Sequence, residues 1–286
     1  MRRLLEHLPE YAIEGALLGA FMVSACSFGV LLEHPDSPVH RAIADPTLRR
    51  ALMGLAMGTT AIAIIYSPWG GRSGAHINPA TTLTFWRLGR IHAGDVAGDI
   101  GAQVFGAVLG VALASALLGH WLGHPAVNYV VTRPGHWGLG AALVAEVTIS
   151  GLLMAVVLTL VDSRHARYTG LVVGALVATY IGLEAPISGM SMNPARSFGS
   201  AWGAGEWSGY WIYVLGPLVG MNLGALLATR RRARPACPKL HHPETQRCIF
   251  CGHEPVRSLI PVRRRGSPAG HSRATVLRDK GPVRRS

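Results

Sequence analysis

The chain has 286 residues, 49% hydrophobic and only 15% charged, with 35 glycines and a mean hydropathy of +0.30, a balance that excludes an ordinary soluble domain and suits a membrane protein. Lysine and arginine outnumber aspartate and glutamate by 27 to 15, but residues 1–229 hold 12 of each sign and the last 57 residues hold 15 basic and 3 acidic side chains, so a neutral apolar body precedes a basic tail. Four cysteines, Cys26 in an apolar run and Cys237, Cys248 and Cys251 in the tail, exclude a small disulfide scaffold.

A helix crosses the bilayer core with about 20 mostly apolar residues. Six stretches qualify: Tyr11 to Leu32, Ala51 to Gly70, Asp99 to His120, Gly138 to Val161, Tyr168 to Ala185 and Gly209 to Thr229. The first has too long an apolar run for a signal peptide and no small-residue cleavage site, so it is expected to stay in the protein. Asn78 to Leu88 and Asn193 to Gly203 are helix-like but half the length of a crossing. Each opens on Asn-Pro, where asparagine caps a helix and proline suits its first turn. The order is two spans, a capped stub and one span, twice over, with Glu14 and Glu146 in the first span of each half. Three spans per half is an odd number, so the second half enters from the opposite side. Paired interrupted segments in such inverted repeats mark a pathway near the midplane.

The expected organisation is a membrane body over 1–229 and a basic tail over 230–286. With both termini cytoplasmic, that side receives Arg2, Arg3, Arg72, Arg87, Arg90, Arg164, Arg167 and the tail, against Arg41, Arg49, Arg50 and Arg133 opposite. The positive-inside bias favours this placement, in a multi-pass protein of the cytoplasmic (inner or plasma) membrane.

The halves carry Ser73-Gly-Ala-His-Ile-Asn78-Pro79-Ala80 and Ser188-Gly-Met-Ser-Met-Asn193-Pro194-Ala195-Arg196, 115 residues apart. Here the chain resembles the aquaporin and glycerol-facilitator (major intrinsic protein) family, whose signature is a doubled Asn-Pro-Ala with Arg after the second. The resemblance runs from about Glu14 to Leu227 and does not reach the tail. It implies an all-α membrane fold of six transmembrane helices and two re-entrant half-helices in an inverted repeat, assembled as a homotetramer with one pore per subunit. It also implies a passive channel with no catalysis and no cofactor in the pore, passing water and excluding ions and protons.

Physical chemistry supports that reading. Non-helical backbone survives at membrane depth where it meets protein or a wet cavity, so residues 70–77 and 185–192 are expected to line a pore. Two stub helices meeting by their N-termini place about half a positive charge each at mid-pore, beside the amides of Asn78 and Asn193, a field that repels cations as the general account of such pores has it. Arg196 costs at least about 2.5 kcal/mol at membrane depth unless it faces water or a partner.

By the resemblance Arg196 is one of four constriction residues, and ungapped alignment puts the others at Gly58, Ile181 and Met190. This set lacks the aromatic and histidine of strict water channels and the aromatics of typical glycerol facilitators. A broader, more apolar constriction is expected, passing glycerol, urea or ammonia besides water. Ser197, Ala201 and Tyr213 look like the water-channel pattern, whereas Val214 leans toward the facilitators.

Glu14 and Glu146 are candidate proton-relay groups, but the resemblance makes them acceptors for the re-entrant loops, whose backbone needs partners. His76 is expected to be structural or to line the pore, while Met53, Met57, Met154 and Met221 read as packing. Gly101, Gly106, Gly110, Gly216, Gly220 and Gly224 read as points of close helix approach.

In the tail, Cys237, Cys248, Cys251 and His253 could complete a tetrahedral zinc site within 237–253, with His241 and His242 between them. The alternative is a disordered segment with incidental thiols. Arg263–Arg265 and Arg284–Arg285, among Gly, Pro and Ser, are expected to be disordered and to adhere to anionic lipid. No nucleic-acid partner is expected, since no aromatic platform accompanies the charge. Two competing functions stand: a coupled secondary transporter, and a membrane-anchored sensor or interaction protein with a zinc-binding tail.

Overall fold

In the computed structural model, residues 2–230 and 235–254 are described. The basic stretches Arg263–Arg265 and Arg284–Arg285 lie outside the described residues. Eight principal helices carry the fold: α1 (Leu8–Glu33), α2 (Pro46–Tyr66), α3 (Pro79–Arg87), α4 (Ala93–Leu118), α5 (Gly138–Leu160), α6 (Thr169–Leu183), α7 (Pro194–Ala204) and α8 (Ile212–Thr229). The six helices α1, α2, α4, α5, α6 and α8 are long and apolar enough to cross a membrane.

Local chemistry moves some ends away from the hydropathy limits. α2 starts five residues before Ala51 because Asp45 caps it, accepting from the Thr47 amide at 2.8 Å, with Pro46 in the first turn. It stops at Tyr66 instead of Gly70 because Ser67 opens a separate short helix, Pro68–Ser73, and accepts from the Gly70 amide at 2.9 Å.

The spans pack most extensively as α1 with α4, α2 with α6 and α5 with α8. Lipid gives helices no hydrophobic reason to associate, so close backbone approach and dispersion must hold them. A Cβ at Gly106 would sit 2.0 Å from the Gly15 carbonyl oxygen, one at Gly220 2.2 Å from that of Val147, and one at Gly224 2.1 Å from that of Gly151. Gly101 differs from expectation: it faces open space. The outward face of α4 instead exposes Phe105, Leu109, Leu113 and Leu117. The two half-helices sit within the ring of spans, α3 against α4 and α8, and α7 chiefly against α4.

Candidate functional site

The two connections leading into α3 and α7 adopt one backbone, repeated at an offset of 115 residues. Gly74 and Gly189 take positive φ (115° and 85°), followed by Ala75 and Ile77 in one loop and Met190 and Met192 in the other, at φ 42–55°. A left-handed residue with a Cβ costs about 1–2 kcal/mol, so these loops need outside support. Each receives it from a buried glutamate. Glu14 accepts from Ser73 Oγ at 2.7 Å and from the amides of His76 and Ile77 at 3.1 and 2.6 Å. Glu146 accepts from Ser188 Oγ at 2.9 Å and from the amides of Ser191 and Met192 at 2.6 and 2.8 Å. Hydrogen bonds to a charged group contribute about 1.5–3 kcal/mol each, enough to hold such strained backbone.

The loops meet where the half-helices begin. Asn78 Oδ1 caps α3 through the Ala80 amide at 2.9 Å, and Asn193 Oδ1 caps α7 through the amides of Ala195 and Arg196 at 3.1 and 3.2 Å. Asn78 Nδ2 donates to the Met192 carbonyl and Asn193 Nδ2 to the Ile77 carbonyl, both at 2.7 Å. An amide NH2 carries two protons, so each asparagine keeps one beyond this crossed clasp. Both side chains line a cavity of about 270 Å³ that also receives residues of α1, α2, α5 and α6. Pro79 and Pro194 occupy the first turns, while Ala80 and Ala195 are fully buried.

Of the four residues assigned to the constriction, Ile181, Met190 and Arg196 line this cavity. Gly58 does not. It lies in the α2–α6 interface, where a Cβ would be 2.5 Å from the Gly174 carbonyl oxygen, and the cavity-facing side of α2 is Arg50, Met53, Met57, Ala61 and Ile65. The ungapped alignment lands beside that face because one residue of helix rotates it by about 100°. Met53, Met57 and Met154, expected to be plain packing, also line the cavity. Met221 is fully buried and accepts from Thr81 Oγ1 at 3.5 Å.

Two residues that the motifs did not single out, Thr132 and Arg50, help to hold the Arg196 end. The Arg196 guanidinium donates to Thr132 Oγ1, which pairs with Ser197 Oγ at 2.9 Å, and Ser197 in turn meets Ser191 Oγ at 2.6 Å. Arg50, read from sequence as a loop cation, lines the cavity and donates from Nε to the Gly182 carbonyl at 3.0 Å. It stands three residues, about one helical turn, before Met53 at the head of the lining of α2, and that spacing is the signal that could have found it; no spacing announces Thr132.

At the opposite end His76 is buried. Its Nε2 donates to the Pro238 carbonyl at 2.9 Å, leaving Nδ1 to accept from Thr82 Oγ1 at 3.1 Å, since a carbonyl can only accept. The tail is therefore part of the site. Leu240, 7% exposed, lines the same cavity. Beneath it, Cys237, His242, Cys248 and Cys251 gather with their ligand atoms all within 4.8 Å of one another. His253, expected as the fourth donor, instead directs Nε2 to the Glu244 carbonyl at 2.8 Å, and His242 Nε2 takes its place 3.2 Å from Cys251 Sγ. The Cys237–Cys248 contact pushes the Cys237 thiol up and holds Cys248 below the usual thiol range, because a sulfur–sulfur hydrogen bond keeps the proton on one of the pair.

Residues 14–228 match the model of the major intrinsic protein family. The chain is 37% identical over 171 residues to an aquaporin from Zea mays, covering 59% of this chain and 67% of that one. It is 40% identical over 178 residues to a probable aquaporin from Arabidopsis thaliana, 59% of each, so it spans about three fifths of that relative's length. An aquaporin from Methanothermobacter marburgensis is 36% identical over 185 residues, 61% of this chain and 74% of the relative. A solved aquaglyceroporin from Plasmodium falciparum shares the fold, with a TM-score of 0.64 at 16% identity over 79% of this chain and 96% of that one.

Proposed function

The chain belongs to the major intrinsic protein family, and from that premise we propose that it is a passive channel for water and small uncharged solutes such as glycerol, urea or ammonia. The observation that carries this is the crossed clasp of Asn78 and Asn193 on the wall of a single cavity. Two helix N-termini and two spare amide protons favour an oxygen-bearing neutral solute there and oppose a cation. Arg196 and Arg50 add two fixed positive charges at one mouth, while the methionine-rich wall favours carbon-bearing solutes over a water-only filter.

We assign the filter to Ile181, Met190 and Arg196, with Met57 in the place first given to Gly58. Glu14 and Glu146, which a proton-coupled transporter would want available, spend their oxygens on the loops, which favours a passive pore over a coupled transporter. A homotetramer, both termini in the cytoplasm and a structural zinc ion in the tail complete the proposal.

Stopped-flow shrinkage of vesicles holding the full chain, with and without a metal chelator, tests it. Shrinkage linear in osmotic force, indifferent to a proton gradient and followed by re-swelling in glycerol or urea, is the expected result. Met57→Ala should raise glycerol passage relative to water, whereas Gly58→Ala should lower yield by overpacking, at a cost of about 1–3 kcal/mol, without altering that ratio. Uptake that saturates and follows a gradient would sink the channel reading.

A further inference from the structure

The tail segment is too short to hold itself together. Residues 235–254 contain no regular helix or strand, and so few residues cannot bury a core of their own without a metal or disulfide staple. No disulfide supplies it: Cys237 and Cys248 are free thiols with Sγ atoms 3.6 Å apart, far from the roughly 2.05 Å of a bond. Zinc–sulfur bonds of about 2.3 Å give S···S tetrahedron edges near ~3.8 Å and, with zinc–nitrogen bonds of about 2.0–2.1 Å, N···S edges near ~3.5 Å; the separations of 3.6 Å for Cys237–Cys248 and 3.2 Å for His242 Nε2–Cys251 Sγ lie within about 0.3 Å of these. The backbone is shaped accordingly. Gly252 takes φ +72° just after Cys251, its amide donates to the Cys248 carbonyl at 3.1 Å, and the Cys248 amide donates to the His253 carbonyl at 2.9 Å.

The segment is tied to the channel body at several points around the cavity end that Leu240 lines. The Leu240 amide donates to the Gly74 carbonyl at 3.1 Å and its side chain reaches the cavity among Ile65, Ala75 and Val173. Lys239, 2% exposed, donates from Nζ to the Gly71 carbonyl at 2.9 Å. On one flank Gln246 Nε2 reaches the Pro68 carbonyl at 3.3 Å; on the other the Ala236 amide reaches Asp162 Oδ2, in the α5–α6 connection, at 2.7 Å. The segment therefore spans from the first half of the repeat to the second, across the opening.

Resting on the channel reading, we propose that Cys237, His242, Cys248 and Cys251 bind one zinc ion, and that this knuckle locks Leu240 as a plug in the tail-side mouth. Where no folded site exists without the metal, metal-binding free energy is folding free energy. Stripping zinc then unfolds the knuckle and frees the mouth, and the chain becomes a pore that opens when zinc is scarce.

The test is water permeability of vesicles holding the full-length chain, with zinc measured by elemental analysis. The expected result is one zinc per chain, permeability rising by about tenfold on chelation, and closure on adding zinc back. Cys248→Ser should lack zinc and stay fast, while Leu240→Ala should keep its zinc and yet permeate fast, separating the plug from the fold of the knuckle. No bound zinc, or one zinc per chain with the same permeability before and after chelation, overturns the plug and leaves the channel intact. Impermeability of every form under every condition removes the channel, and the plug with it.

Discussion

The two re-entrant loops differ in what they carry far more than in how they are built. Each has a serine and a glycine, two left-handed residues, an asparagine cap and a glutamate below, and their backbones repeat residue for residue. Two residues before the asparagine, however, the first loop has His76, which docks the tail, whereas the second has Ser191, which turns inward to Ser197. Three residues after it, the first has Thr81 and the second Arg196, and that single difference puts a cation at one mouth. A stapled backbone leaves neighbouring side chains free to diverge, so an inverted repeat can be symmetric in structure and asymmetric in function.

Removing the staples is the most damaging way to break the comparison. Glu14→Ala and Glu146→Ala each orphan two loop amides and a serine, at about 1–3 kcal/mol per buried group, and both should forfeit most of the detergent-stable protein on size exclusion. A loss confined to one of them would refute the equivalence of the loops. Arg196→Thr gives the second loop the residue type of the first. A unit charge about 6 Å from a passing cation repels it by about 3 kcal/mol at an effective dielectric near 20, so cation leak, read by a sodium-sensitive dye, should rise by about a hundredfold.

His76→Ser moves the first loop toward the second and deletes one bond to the tail, worth about 1 kcal/mol. Trypsin should then cut after Lys239, which is buried at 2% exposure in the native chain, roughly fivefold faster. The smallest effect belongs to Glu206, after the second half-helix, which accepts from Arg133 and Asn128 and has no equivalent in the first half. The Arg133 hydrogen bond holds this carboxyl below its usual 4.5. Its contribution is therefore full above that value and lost as pH falls through the lowered one, so the native chain should show a slight drop in melting temperature in that window and Glu206→Gln none.

The capped stubs were legible because Asn-Pro is a local signal: a cap and a proline act on the next turn of backbone whatever lies around them. The in-span glutamates were legible because a charge is conspicuous among apolar neighbours, although which amides they bind was not. The pore-facing side of α2 was not legible. A helix that faces lipid on one side and protein on the other is apolar all round, so no stripe tells Met57 from Gly58. The fourth thiol-cluster ligand was missed for a related reason: His242 and His253 both lie within reach of the cysteines in sequence, and chain folding alone separates them.

By itself, then, the sequence determined the number of crossings, the inverted repeat, the two asparagine-capped half-helices and the neutral body with its basic tail. Each is written in residues close together or in composition. The tertiary structure decided which faces line the cavity, that Thr132 and Arg50 belong to one mouth, that His242 joins the cysteines, and that Leu240 enters the other mouth. Those outcomes depend on contacts between residues far apart in the chain, such as Gly71 and Lys239, separated by 168 positions, and no local propensity encodes which distant carbonyl a buried donor will meet.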